Sequence, residues 1–218
     1  MDISIIGASG ACGRQIVIQI IRDRLLERRE ILQLVASNPD SPHPYLLHGL
    51  RADLQDAYAE TIPELDVTDD LTQVIGEVVI VAGGTTFAND PRQIGEASRD
   101  ALAQANRPFF ERLALTLAEA RPDHPPMVIV VTNPVELGVH LLTEHLPREN
   151  VIGMGAYSDS LRFRWEIAHD LGIGRQRVHG YVLGEHGDGM VPLWSSVRVQ
   201  GLSPVEWWAA EKHLRRGL

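Results

Sequence analysis

The chain has 218 residues, of which 44% are hydrophobic, 22% charged and 6% aromatic, a globular balance that excludes an intrinsically disordered chain. Its 20 basic and 29 acidic side chains give a formal net charge of −9, which disfavours binding to the phosphate backbone of nucleic acids. Its single cysteine, Cys12, excludes an internal disulfide framework and a cysteine-based zinc site.

The apolar stretches of the chain are short. None is long enough to span a bilayer without interruption, so we expect no membrane partner. The N-terminal sequence MDISIIGASG lacks a basic leader and a cleavage pattern, and it is not interpreted as a secretion signal. The expected location is therefore the cytoplasm.

Apolar runs alternate with longer amphipathic segments over residues 1–154. Strands are predicted at residues 3–6, 31–35, 77–82, 127–131 and 151–154. Helices are predicted at residues 11–28, 45–57, 92–120 and 135–145, with Pro108 as a kink or break in the third. Strands that are apolar on both faces and alternate with helices predict an α/β fold with a parallel sheet covered on both sides.

The pattern changes after residue 155. A helix is predicted at residues 158–171, a hairpin of two strands at 178–183 and 190–199, and a last helix at 205–216. These features predict two domains, at residues 1–154 and 155–218, the second of them α+β in character.

Three glycines, Gly7, Gly10 and Gly13, are spaced as G-x-x-G-x-x-G between the first strand and the first helix. In a β-α unit such glycines permit a tight turn, close approach of a pyrophosphate, and close packing of the helix on the strand. The helix N-terminus would offer N–H groups to the phosphates, although a purely structural turn stays open as an alternative. The expected dinucleotide loop comprises Gly7, Ala8, Ser9, Gly10, Ala11, Cys12 and Gly13, with Cys12 interpreted as a small packing residue.

The end of the second strand bears on the choice between NAD and NADP. NAD sites usually carry Asp or Glu there, which binds the ribose hydroxyls. Here Ala36 or Ser37 takes that place, so a 2′-phosphate would meet no fixed negative charge, although no arginine follows immediately to bind it. We therefore expect NAD or NADP as cofactor, with NADP accepted, and assign Ser37 and Gly83 to its site.

Three further segments carry polar side chains that a core does not need. Asn133 follows the strand at residues 127–131, where ligands bind in open α/β sheets, although Asn-Pro also forms turns. Asp159 and Arg162 are three residues apart on one helix face, where the guanidinium of Arg162 could bind a carboxylate, although either residue could instead be only a helix cap or part of a surface ion pair. His186 lies in the glycine-rich turn GEHGDG and is a candidate acid or base.

Four segments, IGASGACG, VTNPVE, NVIGMGAYSDSLRFR and VLGEHGDGMVP, together resemble the lactate/malate dehydrogenase family across essentially the whole chain. The resemblance implies an NAD(P)-dependent oxidoreductase of small 2-hydroxy or 2-oxo acids. It also implies a Rossmann-type doubly wound parallel sheet followed by a substrate domain, and a homo-oligomer assembled partly through residues 45–57.

The resemblance also implies roles for individual residues. His186 would donate or accept the proton at the substrate oxygen, Asp159 would hold its imidazole, and Arg162 would bind the substrate carboxylate. Arg99 is similar to the family's loop arginine that polarises the carbonyl. Asn133 would contact the substrate and the nicotinamide ribose, through a segment whose Asn-Pro bond resembles the family's cis peptide.

The chain departs from the family pattern in two places. The segment 83–93 is longer than usual, and Arg92 there would favour malate and oxaloacetate, whereas Gln93 or Thr86 would suit lactate and pyruvate. The glycine spacing is more typical of the malate enzymes, which favours malate. The sequence also ends at Leu218, before further family elements, so we expect a C-terminally truncated substrate domain and keep an inactive dinucleotide-binding protein as an alternative.

Two other classes have little support. A short-chain reductase or epimerase typically needs a tyrosine with lysine four residues later, but the four tyrosines are followed at that distance by Gly49, Ile62, Leu161 and Glu185. The nine histidines form no short metal-ligand motif, so we expect no metal.

Overall fold

The computed structural model describes residues 1–37, 45–85, 99–187 and 189–215, without the side chains of Arg99 and Pro204. The chain divides into two compact units, Met1–Gly153 and Met154–Leu218. Among the described residues, no helix combines the length and the apolar character that crossing a membrane requires.

The first unit contains a six-stranded parallel sheet, as the alternating pattern predicted. Its strands are β1 (Ile3–Ile6), β2 (Ile31–Val35), β3 (Glu64–Thr68), β4 (Val78–Val81), β5 (Met127–Val130) and β6 (Val151–Gly153). Their order is β3-β2-β1-β4-β5-β6, and each neighbouring pair is parallel. This order reverses direction beside β1, which is the topology of the Rossmann-type doubly wound fold.

The helices of the first unit are α1 (Ala11–Arg22), α2 (Leu46–Ala57), α3 (Arg99–Ala120) and α4 (Val135–Thr143). Because successive strand residues point to opposite faces, the strands contribute to two apolar cores. Ile5 and Leu34 pack with α1 and α2. Ile6 and Val81 pack with α3 and α4, so both faces of the sheet are buried as predicted.

The observed elements correct the sequence prediction at three points. Strand β3 was not predicted, because ELDVT lacks an apolar run and lies only partly buried at the sheet edge. Helix α1 ends at Arg22 rather than residue 28, and Leu25, predicted on its apolar stripe, is 57% exposed. Helix α3 continues through Pro108, because burial of Phe110 and its neighbours stabilises the helix against the loss of one backbone hydrogen bond.

A polar residue inside β2 is accommodated by a buried hydrogen-bond network. Gln33 is 1% exposed, and its side-chain oxygen accepts from the Ser4 hydroxyl at 2.7 Å. Its amide nitrogen donates to the Asp66 carboxylate at 2.8 Å and to the Gln73 carbonyl at 2.9 Å. Because every polar group of Gln33 is paired, its burial is compatible with a stable sheet.

The second unit is α+β. Helix α5 (Gly155–Asp170) packs on an antiparallel hairpin of β7 (Val178–Gly184) and β8 (Met190–Val199), and α6 (Pro204–Leu214) follows. Helix α6 begins with a capping box, in which the Ser203 hydroxyl accepts from the Glu206 N–H. Hydrogen bonds from the hydroxyl and the backbone N–H of Ser203 lower the pKa of the Glu206 carboxyl.

Candidate active site

Two glycines of the loop between β1 and α1 are required by close packing. Gly7 has a φ of +85°, and a Cβ added there would collide with the Gly83 backbone at the end of β4. A Cβ on Gly13 would overlap the carbonyl oxygen of Gly7, so α1 can approach β1 this closely only without a side chain. Gly7 and Gly13 therefore set the shape of the loop.

The middle of the loop is open. Gly10 precedes α1 without a side-chain cap, and a Cβ there would meet only the Gly7 carbonyl oxygen, at 3.3 Å. Ala11 and Cys12, at the first positions of α1, are exposed with it. Because the first N–H groups of a helix lack intrahelical partners, this accessible backbone fits a pyrophosphate. The interpretation of Cys12 as a small packing residue is wrong, because Cys12 is exposed and lies off the buried stripe of α1, which begins at Gly13.

The packing of Gly13 leads to a testable prediction. Gly13→Ala should destabilise the first unit by about 1–3 kcal/mol, the usual range for forcing extra volume into a packed site. It should also weaken dinucleotide binding, because α1 must move away from the loop. Urea unfolding and calorimetric titration with NADH and NADPH measure the two effects.

Gly49→Ala is the matched control for packing within the chain, because Gly49 lies in α2 and an added Cβ meets no atom of the same chain within 4 Å. That change should leave stability unchanged or raise it by about 0.5–1 kcal/mol. Equal behaviour of the two variants would contradict the packing argument.

A pocket of about 280 Å³ lies beside the carboxyl ends of β2 and β4 and against α3. Ser37 borders it and also packs on Gly83, where an added Cβ would collide with the serine Cβ. Ligands of doubly wound sheets bind at this edge, so both expected cofactor residues lie at a suitable place. The pocket is lined by Ser37, Gly84, Thr85, Pro108, Phe109 and Arg112.

Asn133 follows β5, and its backbone is hydrogen-bonded to a residue that the sequence analysis did not identify. Asn106 of α3 is 1% exposed, and its amide donates to the Asn133 carbonyl at 2.8 Å. The same side chain accepts from the Thr85 N–H at 2.7 Å, joining the ends of β4 and β5. The Asn133 side chain itself is exposed, and its bond to Pro134 is cis, as the family resemblance implied.

In the second unit, three of the predicted residues lie together. Nδ1 of His186 is 2.7 Å from Oδ2 of Asp159, and Nη1 of Arg162 is 3.3 Å from Oδ1 of the same carboxylate. The Asp159 side chain is 2% exposed, His186 22% and Arg162 73%. A buried carboxylate thus orients an imidazole that remains partly accessible, which is the arrangement of acid–histidine pairs that transfer protons.

Two residues that sequence reasoning missed position this pair. Gly155 begins α5, and a Cβ there would lie 2.6 Å from the Cβ of His186, so only glycine permits the histidine to sit against the helix. The Ser160 hydroxyl accepts from the Val182 N–H at 2.9 Å and donates to the Ala156 carbonyl at 2.7 Å. Ser160 thereby ties β7, which leads into the histidine turn, to the helix that carries Asp159.

Four residues named in the sequence analysis have no described side chain. Arg92 lies outside the described residues, as do Thr86 and Gln93, and Arg99 is described only as the first residue of α3. Within the described ranges, no group of three or more His, Cys, Asp or Glu side chains could hold a metal ion.

Family models match both units. Residues 1–153 match the NAD binding domain of lactate/malate dehydrogenase, and residues 158–216 match the alpha/beta C-terminal domain of the same family. The chain spans between 52% and 66% of the length of five curated relatives.

Three similar proteins illustrate the range of relatives. The L-2-hydroxycarboxylate dehydrogenase (NAD(P)(+)) of Methanocaldococcus jannaschii is 31% identical over 98% of this chain and 66% of its own length. The lactate dehydrogenase of Cryptosporidium parvum, solved with lactic acid and nicotinamide adenine dinucleotide, is 26% identical with a TM-score of 0.74, covering 99% of this chain and 62% of that one. The malate dehydrogenase of the same organism is 25% identical, with a TM-score of 0.74 and coverages of 99% and 68%.

Proposed function

Because the chain belongs to the lactate/malate dehydrogenase family, we propose that it transfers a hydride between a nicotinamide dinucleotide and a small 2-oxo or 2-hydroxy acid. The observation that carries the proposal is the 2.7 Å contact between His186 and the buried carboxylate of Asp159. Reduction of a ketone needs a proton at the oxygen as well as a hydride at the carbon, and this pair is suited to move that proton.

In this proposal Nε2 of His186 gives its proton to the carbonyl oxygen and regains one in the reverse reaction. Asp159 accepts a hydrogen bond from Nδ1, which fixes the tautomer and stabilises the imidazolium. A bound nicotinamide supplies the hydride. Positioned acid–base catalysis of this kind contributes about 10²–10⁴-fold to the rate.

Arg162 is proposed to bind the substrate carboxylate. Its guanidinium has the planar fork that matches a carboxylate, and most of its side chain is accessible to a ligand. Its contact with Asp159, at 3.3 Å, limits how far it can turn away from the imidazole. Arg99 and Asn133 are proposed to act at the carbonyl oxygen and at the nicotinamide ribose.

The glycine loop of the first unit is proposed to bind the dinucleotide. Its open backbone at Gly10 and the pocket beside Ser37 support this assignment. NADP is proposed to be accepted beside NAD, since no acid ends β2 and the M. jannaschii relative is named for both cofactors. The family resemblance also leads us to propose a cytoplasmic homo-oligomer, assembled partly through α2.

Malate and oxaloacetate are proposed as the substrate pair. The glycine spacing supports them, and Arg92 would support them if it binds the second carboxylate of the substrate. Lactate and pyruvate are the alternative, which the name of the C. parvum lactate dehydrogenase favours.

The decisive experiment is oxidation of NADH and NADPH by the purified chain with oxaloacetate, with pyruvate and without substrate. We expect kcat/KM for oxaloacetate to be about tenfold or more above that for pyruvate. An ion pair between Arg92 and the second carboxylate of oxaloacetate would contribute more than one factor of ten to kcat/KM. Faster pyruvate reduction would select the alternative pair. Dinucleotide binding without turnover of either acid would indicate a binding protein.

A further inference from the structure

One pocket of the first unit joins two residues that are far apart in the sequence. Ser37 at the end of β2 and Arg112 in α3 both line the space of about 280 Å³ described above. Ser37 lies where an NAD site usually carries its ribose-binding acid. Arg112 belongs to α3, which follows β4 in the sequence. The volume is close to the lower end of the range for ligand pockets.

The charges around this pocket favour an anion. Arg112 is exposed, and its guanidinium makes no hydrogen bond or ion pair in the structure as described. The nearest acid on the same helix, Glu111, is instead paired with Arg107 at 3.1 Å. No described lining residue carries a negative charge, so the pocket offers one cation, the Ser37 hydroxyl and the apolar surfaces of Pro108 and Phe109.

We propose that Arg112 and Ser37 bind the 2′-phosphate of the dinucleotide and so make NADP the preferred cofactor. The inference rests on the proposed function, because it takes the glycine loop to hold the pyrophosphate of the same molecule. A guanidinium binds phosphate oxygens through two parallel hydrogen bonds, and a serine hydroxyl can donate a third. The cation that is missing directly after β2 is thus supplied by α3.

Isothermal titration calorimetry of the full chain tests this with three nucleotides that lack the nicotinamide: adenosine 2′,5′-bisphosphate, adenosine 3′,5′-bisphosphate and 5′-AMP. The wild type should bind the 2′,5′ compound about tenfold or more tightly than the other two, as expected for charge-assisted hydrogen bonds. Arg112→Gln should abolish that preference while leaving the Kd of 5′-AMP within about twofold. Arg107→Gln is the matched control on the same helix, and it should behave as wild type.

A second variant covers the case in which Arg112→Gln does not fold. Ser37→Asp places a carboxylate in the pocket and should reverse the preference towards 5′-AMP. The inference is overturned if the wild type shows no preference for the 2′,5′ compound, if Arg112→Gln retains it, or if no nucleotide binds.

Turnover of the 2-oxo acids, measured on the same preparations, separates the two proposals. A preference that depends on Arg112, found without turnover, supports the inference and contradicts the proposed activity. Turnover of a 2-oxo acid with equal affinity for NADH and NADPH supports the proposed activity and contradicts the inference about Arg112 and Ser37.

Discussion

His186→Asn is expected to lower kcat/KM for the 2-oxo acid by about 10²–10⁴-fold, the range for loss of a positioned acid–base group. An asparagine amide can still donate to the Asp159 carboxylate that lies 2.7 Å from Nδ1 in the native chain, so the fold should persist. It has no group that exchanges a proton near neutral pH. Steady-state turnover measures the loss, and calorimetric titration should give unchanged Kd values for NADH and NADPH.

The matched control for this variant is His169→Asn. His169 lies near the end of α5 in the same unit, 67% exposed and stacked on Trp165. That change removes the same chemical group from a place where we assign it no role, and turnover should stay within about twofold of wild type. If His186→Asn turned over the 2-oxo acid as fast as the wild type, the acid–base role of His186 would be wrong, whatever the result for His169→Asn.

Asp159→Asn is expected to have the second largest effect, up to about 10⁴-fold in kcat, as for other buried acid–histidine pairs. The amide nitrogen of asparagine can face Nδ1 and force the tautomer that carries its proton on Nε2 irrespective of the reaction step. It also removes the negative charge that stabilises the imidazolium. Because the effect falls on the proton transfer, kcat should drop while KM for the 2-oxo acid changes only a few-fold.

A control variant and a double variant test whether Asp159 acts through His186. Asp170→Asn removes a carboxylate of the same kind from the exposed end of α5 and should leave kcat unchanged. The double variant His186→Asn with Asp159→Asn should be about as slow as His186→Asn alone, because residues that act as a unit show non-additive losses. Additive losses in kcat would show that Asp159 acts independently of the histidine.

Asp159 also faces Arg162, so its variant has a smaller, separate effect on stability. The Arg162 side chain is 73% exposed, and solvent screens its 3.3 Å contact with the carboxylate. An ion pair whose cation is this exposed contributes about 0–1 kcal/mol. A change in kcat of several powers of ten therefore cannot come from loss of that ion pair.

The prediction of the fold succeeded where the sequence pattern is continuous and failed where it is mixed. Strands β2 and β8 have the predicted bounds, since each is a run of apolar or alternating residues. Strand β3 was missed, because a partly exposed edge strand needs little apolar character. The bounds of α1 were overestimated, because the turn after Arg22 begins at polar residues that helical periodicity does not distinguish from an exposed face.

The sequence by itself determined the α/β class of the first unit with its covered parallel sheet, the glycine loop and the types of side chain that form the candidate site. These follow from local patterns, since apolar periodicity and glycine spacing act within a few residues. Only the tertiary structure decided that both oxygens of Asp159 are engaged, that Gly155 makes room for His186, and that Asn106 supports Asn133. The contacts of His186 with Asp159 and Gly155, and of Asn106 with Asn133, join residues more than 20 positions apart. They exist only once the packing of helices on sheets has brought those residues within hydrogen-bond or van der Waals distance.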